Sequence, residues 1–395
     1  MRFENVCFAL GAAWSSPFAR WQGPAAEINS LKLAESAARA GLERSGVEWP
    51  LSELVLGQTV PQRESFYGPP TLAARLGFDG ISGPWIAQAC ATSVTCLHAA
   101  AASQGGDPAG ARLVITTDRV SNAPQLIWPA PGQPGGAPEQ EHWALDNFAR
   151  DPWAGLAMLG TAENVAKQAG FTKDHLDEVT ALRYEQYADA LAHDRAFQRR
   201  YMVSVDVGTK RKPTELAEDF GVRPTMLEDL QRLDPVEAGG VVSFGSQTHP
   251  ADGTAGCVVT SPHVVRSLGT EGPVVQILAT GFARAGRAEM PKAPVPAAQA
   301  ALADAGLSIS DMAAVKTHNP FAVNDLWFAR ETGYLIENMN RYGCSLVYGH
   351  PQGPTGQRGI IELAHILADR GGGTGLFTGC AAGDTGAAVV IRVDG

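Results

Sequence analysis

Apolar and polar residues recur along this chain with two periods, and the switches between them mark its elements. Leu33, Ala37, Ala40 and Gly41 share one side of residues 33–46, with Lys32, Glu35, Arg39 and Glu43 on the other. That spacing predicts an amphipathic helix ended by Gly46. Trp49-Pro50 connects it to a short buried strand at Leu54–Gly57. A further helix is expected around Thr71–Leu76, and Thr92–Ala102 is so uniformly small or apolar that it reads as a helix buried on most sides. Arg112–Thr116 has the continuous apolar character of a parallel-sheet strand. From about residue 119 to 248 the rhythm is lost to a Pro/Gly-rich, Trp-bearing loop and then to helices alternating with charged turns, which suggests an inserted subdomain. Strands resume at Gly256–Thr260 and Val274–Leu278. The turn Gly349–Gly356 then leads into a helix carrying Ile360, Ile361, Leu363, Ala364, Ile366 and Leu367 on one broad face.

The pattern repeats. An offset of 260 residues carries Ala37–Gly46 onto Ala297–Gly306, and the same offset carries Cys90 onto His350. Strand 112–116 has a counterpart at 375–379, with Cys380 just beyond it. Each half therefore reads as the same unit of strands and helices, with a candidate nucleophile in one and a histidine at the equivalent place in the other. Two such halves packed through their buried helices would bring those helix starts together.

Composition narrows the function classes. The chain has 395 residues, 45% of them hydrophobic and 18% charged, which suits two or three well-buried domains. A net charge of −10 argues against nucleic acid as a partner of the whole protein. No apolar run is long enough to cross a bilayer and the first residues lack a signal-peptide pattern, so a cytoplasmic location without membrane contact is expected. Six cysteines stand at 7, 90, 96, 257, 344 and 380, none in a Cys-x-x-Cys pair, so no metal site is expected. Cys7, Cys96, Cys257 and Cys344 read as core residues.

Cys90-Ala91-Thr92-Ser93, His318-Asn319-Pro320-Phe321, the uninterrupted Gly349-His350-Pro351-Gln352-Gly353-Pro354-Thr355-Gly356 and Cys380-Ala381-Ala382-Gly383-Asp384 follow one another in the order of the thiolase family's motifs, and the chain resembles that family over essentially its whole length. The resemblance implies an α/β fold of five αβαβα layers, built from two duplicated halves (residues 1–118 with 249–270, and 271–395). Residues 119–248 would form a loop domain covering coenzyme A. It also implies a homodimer or dimer of dimers that uses acyl-CoA and CoA as substrates, with no permanently bound cofactor.

In the chemistry so implied, Cys90 is the nucleophile, its thiol acidified by the positive end of the helix it opens. His350 assists its deprotonation and donates to the thioester oxygen, while Cys380 is the acid/base at the α-carbon. Backbone N–H groups of Ala382 and Cys90 form a second oxyanion site. His318 stands where many thiolases have asparagine, as in the sterol-carrier-protein type, and either donates directly or holds a water, with Asn319 and Asp325 as candidate orienting partners. Ala382-Gly383-Asp384 replaces a glycine triplet, adding a methyl and a charge. Thr248, His249 and Leu159 also depart from the family pattern, and with Arg223 and Asn319 they are the expected contacts to substrate or CoA. Arg199, Arg200, Lys210, Arg211 and Lys212 are candidates for the CoA phosphates by charge alone, equally readable as a solvated basic face.

The altered motifs, with Gln247, Gln352, Arg119 and Trp128, favour a bulky, branched or aromatic 3-oxoacyl-CoA such as 2-benzoylsuccinyl-CoA. The alternatives are a carbon-joining condensing enzyme, which Cys380 argues against, and an acyl-CoA-binding subunit active only with a separate small zinc-ribbon/OB-fold partner.

Overall fold

The computed structural model describes residues 1–208 and 211–394. The first half contributes β1 (Cys7–Ser15), α1 (Ser30–Ser45), β2 (Leu51–Gly57), α2 (Gly68–Leu76), β3 (Trp85–Ile86), α3 (Thr92–Gln104) and β4 (Ala111–Arg119). The insertion follows, with α4 (Met158–Ala169) and α5 (Lys173–Arg195) as its main helices. After it come β5 (Ala251–Thr260), β6 (Val274–Arg284), α6 (Pro294–Ala305), β7 (Ala314–His318), α7 (Ala322–Thr332), α8 (Gly353–Asp369), β8 (Gly373–Ala381) and β9 (Thr385–Val393). Helix α1 starts at Ser30, ahead of its apolar stripe, because the Asn29 side chain accepts the Leu31 N–H. It ends where Gly46 adopts φ 69°, a left-handed conformation that glycine takes without strain.

The strands form one ten-stranded sheet in the order β7-β8-β9-β6-β1-β5-β4-β2-β3, with Ala19–Arg20 added onto β5. Read outward from its middle, the order is the same in both directions: β1, β5, β4, β2 in one half and β6, β9, β8, β7 in the other. The halves meet where β1 pairs antiparallel with β6, Cys7 to Ala9 against Gln276 to Val274.

Side-chain alternation on these strands builds the layers. Leu54, Leu56, Leu113, Ile115 and Val258 face outward onto α1 and α2, whereas Val55, Val114, Cys257 and Val259 face inward. In the second half Leu376, Ala388 and Val390 pack outward on α6 and α7, and Phe377, Ala387, Val389 and Ile391 inward. Helices α3 and α8 lie between the two inner faces and share one core with them, through Val94, Leu97, Ala100, Ile360, Leu363 and Leu367. The result is helix, sheet, paired helices, sheet, helix. No helix among the described residues is long and apolar enough to cross a membrane.

Ser93 joins the two central helices. Its hydroxyl accepts the Gln357 N–H at 2.7 Å and donates to the Gly353 carbonyl, standing inside the first turn of α8. Gly356 permits the approach, since a Cβ there would lie 3.0 Å from that of Ser93. The insertion is anchored to the same helix. Arg358, fully buried, bonds both oxygens of Asp219 at 2.7 and 2.8 Å and reaches Glu362 at 2.9 Å. Glu362 also accepts from Tyr201 at 2.7 Å and pairs with buried Lys316. Buried charges persist only when paired in this way.

Candidate active site

Cys90, His350 and Ala382 line one cavity of about 260 Å³, and His318 and Cys380 stand buried beside it. Cys90 precedes α3, held by a turn in which Ala89 has φ 43° and the Thr92 hydroxyl donates to the Ala89 carbonyl at 2.7 Å. Such a conformation is strained for a residue with a Cβ and persists only where its surroundings impose it. His350 follows Gly349 (φ 93°) and is clamped through its backbone, its N–H donating to His249 O at 2.9 Å and its carbonyl accepting from Ala251. His318 ends β7 and Cys380 lies near the end of the adjacent parallel strand β8, where His318 is in register with Gly379. The loop after β8 supplies Ala382.

These residues converge. His350 Nε2 stands 3.0 Å from Cys90 Sγ. The His318 and His350 rings stack with centroids 4.0 Å apart, and the ligating atoms of all three residues lie within 4.8 Å of one another. The Ala382 N–H points at the Cys90 sulfur. Cys380 Sγ, behind the cavity wall and buried, receives Asn324 Nδ2 at 3.2 Å.

Burial sets the protonation states, and for Cys90 it reverses the effect expected of a helix start. Although the residue keeps partial exposure at the cavity wall, desolvation pushes its thiol up to about 12, with the Ala382 and Cys90 N–H groups opposing the rise and Asp118 adding to it. Helix α3 alone does not overcome that cost. His318 is lowered to about 3 by burial, and His350 is held well below its usual range by burial and then by His318. Cys380 is raised by burial and then by Cys90. The resting arrangement is a neutral thiol beside a neutral imidazole.

His318 Nδ1 stands 2.8 Å from Ser345 Oγ, which also accepts the Asn319 N–H and lies 3.3 Å from Asn319 Oδ1. His318 Nε2 is buried without a partner among the described residues. His350 Nδ1 rests 2.7 Å from Thr355 Oγ1.

The remaining expected contacts divide. Leu159, Thr248, Gln247 and Gln352 line the cavity with Ala89, Phe148, Met158, Met290, Pro320 and Phe321. Asn319 does not: its amide donates to Asp325 at 2.6 Å and to Cys344, in a buried network continued by Arg183 and Asn340. The His249 ring packs under Gly349 with Nε2 unpartnered among the described residues, and it is lowered to about 4 by burial; its carbonyl, not its ring, serves the site. Arg223 is exposed, beside a separate groove lined by Tyr184, Pro224 and Met226. Arg119 bonds the Ile28 and Asn122 carbonyls, and Trp128 bonds Glu141 on an exposed hairpin. Arg199 and Arg200 pair with Asp194 and Asp369, Arg211 is exposed, and Lys210 lies outside the described residues. Asp384 does not line the cavity, and its carboxylate accepts the Ala288 N–H at 2.8 Å. Asp151, from the insertion, accepts the Gly383 N–H at 2.6 Å and so fixes the turn that aims Ala382.

Sequence reasoning missed Ser345, Asn324, Asp151 and Asp118. Asp118 is wholly buried, and despite accepting N–H groups from Thr59, Val60 and Gly353 it is raised to about 7 by desolvation. None stands in a recognisable motif, and only their partners reveal them.

Comparison with known proteins agrees with this geometry. The thiolase N-terminal domain matches residues 9–263 and the thiolase C-terminal domain residues 270–393. The chain is 33% identical to human mitochondrial 3-ketoacyl-CoA thiolase, in an alignment spanning 60% of this chain and 59% of that protein. It is 29% identical to the 3-ketoacyl-CoA thiolase of Erwinia tasmaniensis, over 96% of this chain and 95% of the other. The crystal structure of the human mitochondrial enzyme in complex with CoA superposes with a TM-score of 0.90 at 25% identity, covering 100% of both chains. With both domains matched in order and two like halves converging on one cavity, the chain belongs to the thiolase family.

Proposed function

We propose that this thiolase-family acyltransferase cleaves a 3-oxoacyl-CoA with CoA, or runs the reverse condensation. The observation that carries the reading is the 3.0 Å approach of His350 Nε2 to Cys90 Sγ at the wall of the cavity. His350 takes the thiol proton as the Cys90 sulfur attacks the 3-oxo carbon. The bond between C2 and C3 breaks, leaving the acyl group on Cys90 and the electron pair on C2, which takes a proton from Cys380. The thiol of an incoming CoA attacks the acyl-Cys90 thioester, gives its proton to Cys380, and releases the shortened acyl-CoA. Charge on the substrate oxygens is met by His318 and His350 in one place and by the Ala382 and Cys90 N–H groups in another. Because the thiol and imidazole are neutral at rest, transfer of the Cys90 proton accompanies attack.

Phe148, Met158, Leu159, Met290 and Phe321 on the wall suit a branched or aryl chain. Among the described residues Gln247, Thr248 and Gln352 are its polar side chains besides Cys90 and His350, and no Lys or Arg lines it. An uncharged aryl group fits this set better than the dicarboxylate 2-benzoylsuccinyl group, whose free carboxylate would have only amide and hydroxyl donors. Phe66, Tyr67 and Trp85, exposed at and near the edge strand β3, suit a homodimer face.

Incubating the protein with CoA and either acetoacetyl-CoA or an aryl 3-oxoacyl-CoA, with mass spectrometry of the protein, tests this. An acyl adduct on Cys90 and faster cleavage of the aryl substrate are expected. Absence of both adduct and cleavage with either substrate overturns the activity, and faster turnover of acetoacetyl-CoA overturns the chain preference.

A further inference from the structure

Asn324 touches no part of the cavity, yet both ends of its amide are committed. It is 2% exposed in the first turn of α7. Its Oδ1 accepts the Phe321 N–H at 3.2 Å, and because that backbone group can only donate, the orientation of the amide is fixed. The Nδ2 end therefore faces Cys380 Sγ, 3.2 Å away. Among the described residues no other side chain has a hydrogen bond to that sulfur.

The remaining surroundings of Cys380 disfavour a negative charge. The Cys90 thiol and the Asp384 carboxylate both face it unfavourably, and neutral His318 lies on the adjacent strand. A buried sulfur that must alternate between thiol and thiolate needs a donor that strengthens as charge appears, and a fixed amide N–H is one.

We propose that Asn324 is a positioning residue for the reaction, its Nδ2–H holding the Cys380 sulfur in place and stabilising the thiolate that collects protons. The inference rests on Cys380 being the acid/base of the proposed function. When Cys380 S⁻ takes the proton of the CoA thiol or of the α-carbon it becomes S–H and the contact relaxes. When it returns that proton to C2 the charge and the contact are restored.

A helix-capping role for Asn324 is the competing explanation, and substitution separates the two. Asn324→Asp keeps an acceptor for the Phe321 N–H and removes the donor to sulfur, whereas Asn324→Ala removes both. Both variants and Cys380→Ser are compared with wild type for CoA-dependent cleavage, for deuterium exchange at the α-carbon of acetyl-CoA, for the pH profile of each, and for the acyl adduct on Cys90. Asn324→Asp is expected to lower cleavage and exchange by about tenfold or more. It should also move the acidic limb of the exchange profile upward by roughly one pH unit, while the melting temperature and the Cys90 adduct stay as in wild type. Wild-type rate and pH profile in Asn324→Asp, with Cys380→Ser impaired, would overturn the inference alone and leave only a cap. Full activity in Cys380→Ser would instead overturn the role given to Cys380.

Discussion

The two halves use one scaffold to hold different reagents. Thr95 stands five residues past Cys90 and Thr355 five past His350, each with its hydroxyl turned back to its own loop. Thr95 bonds Gln88 Oε1 at 2.6 Å, two residues ahead of the cysteine, whereas Thr355 bonds the imidazole itself at 2.7 Å. The helices behind them differ more. Helix α3 buries mostly small and apolar residues, while α8 buries Arg358 and Glu362 and through them holds the insertion. Duplication thus supplies matched positions, and divergence decides that one half carries the group that reacts while the other carries the group and the anchorage that control it.

The largest expected effect comes from removing either member of the matched pair. Cys90→Ala and His350→Ala should each reduce CoA-dependent cleavage by at least ~1,000-fold, with the double variant little worse, since residues acting as a unit are not additive. Steady-state rates on all three proteins check this; independent, multiplying losses would break the pairing. Next is the anchorage. Glu362→Ala leaves Lys316 and Arg358 short of a buried countercharge and should cost about 3–5 kcal/mol, read by denaturant unfolding. The equivalent position in the first half is already Ala102, so the same chemistry there is dispensable.

A smaller effect is expected at Gly359, whose counterpart is Ala99. A Cβ at Gly359 would meet Phe377 at 2.6 Å, so Gly359→Ala should cost about 1–3 kcal/mol through overpacking. Unchanged unfolding would mean that α8 packs no more tightly than α3. The smallest effect is in the free protein's pH response. With the Cys90 thiol at about 12 and His350 depressed, the thiolate fraction rises about tenfold per pH unit throughout pH 7–10. Iodoacetamide labelling of Cys90 should climb in proportion without levelling near ~8.5; a plateau at neutral pH would reveal a preformed ion pair.

Much of this was legible in the residues. A small-residue turn ahead of an apolar helix located His350, and the 260-residue offset paired it with Cys90 before any coordinates. The layers followed from alternation in strands such as Leu54–Leu56, where each face has its own helix. What could not be read was any role assigned by neighbours distant in sequence. Asn319 sits inside a motif but turns into a buried network, and Ser345 outside every motif holds His318 Nδ1. The acidity of Cys90 was misjudged for the same reason, since a helix start is local and desolvation depends on the whole surroundings. Charge was equally uninformative, for Arg199 and Arg200 spend theirs on nearby carboxylates.

The pairing of β1 with β6 sits far along the sheet from the chemistry, yet it makes both halves parts of a single hydrogen-bonded plank. The halves therefore cannot swing apart to admit a ligand, as hinged enzymes do, without tearing backbone bonds. The insertion supplies Phe148, Met158 and Leu159 to the cavity wall, so variation at those positions can change which acyl chain is held while the sheet keeps the two halves together.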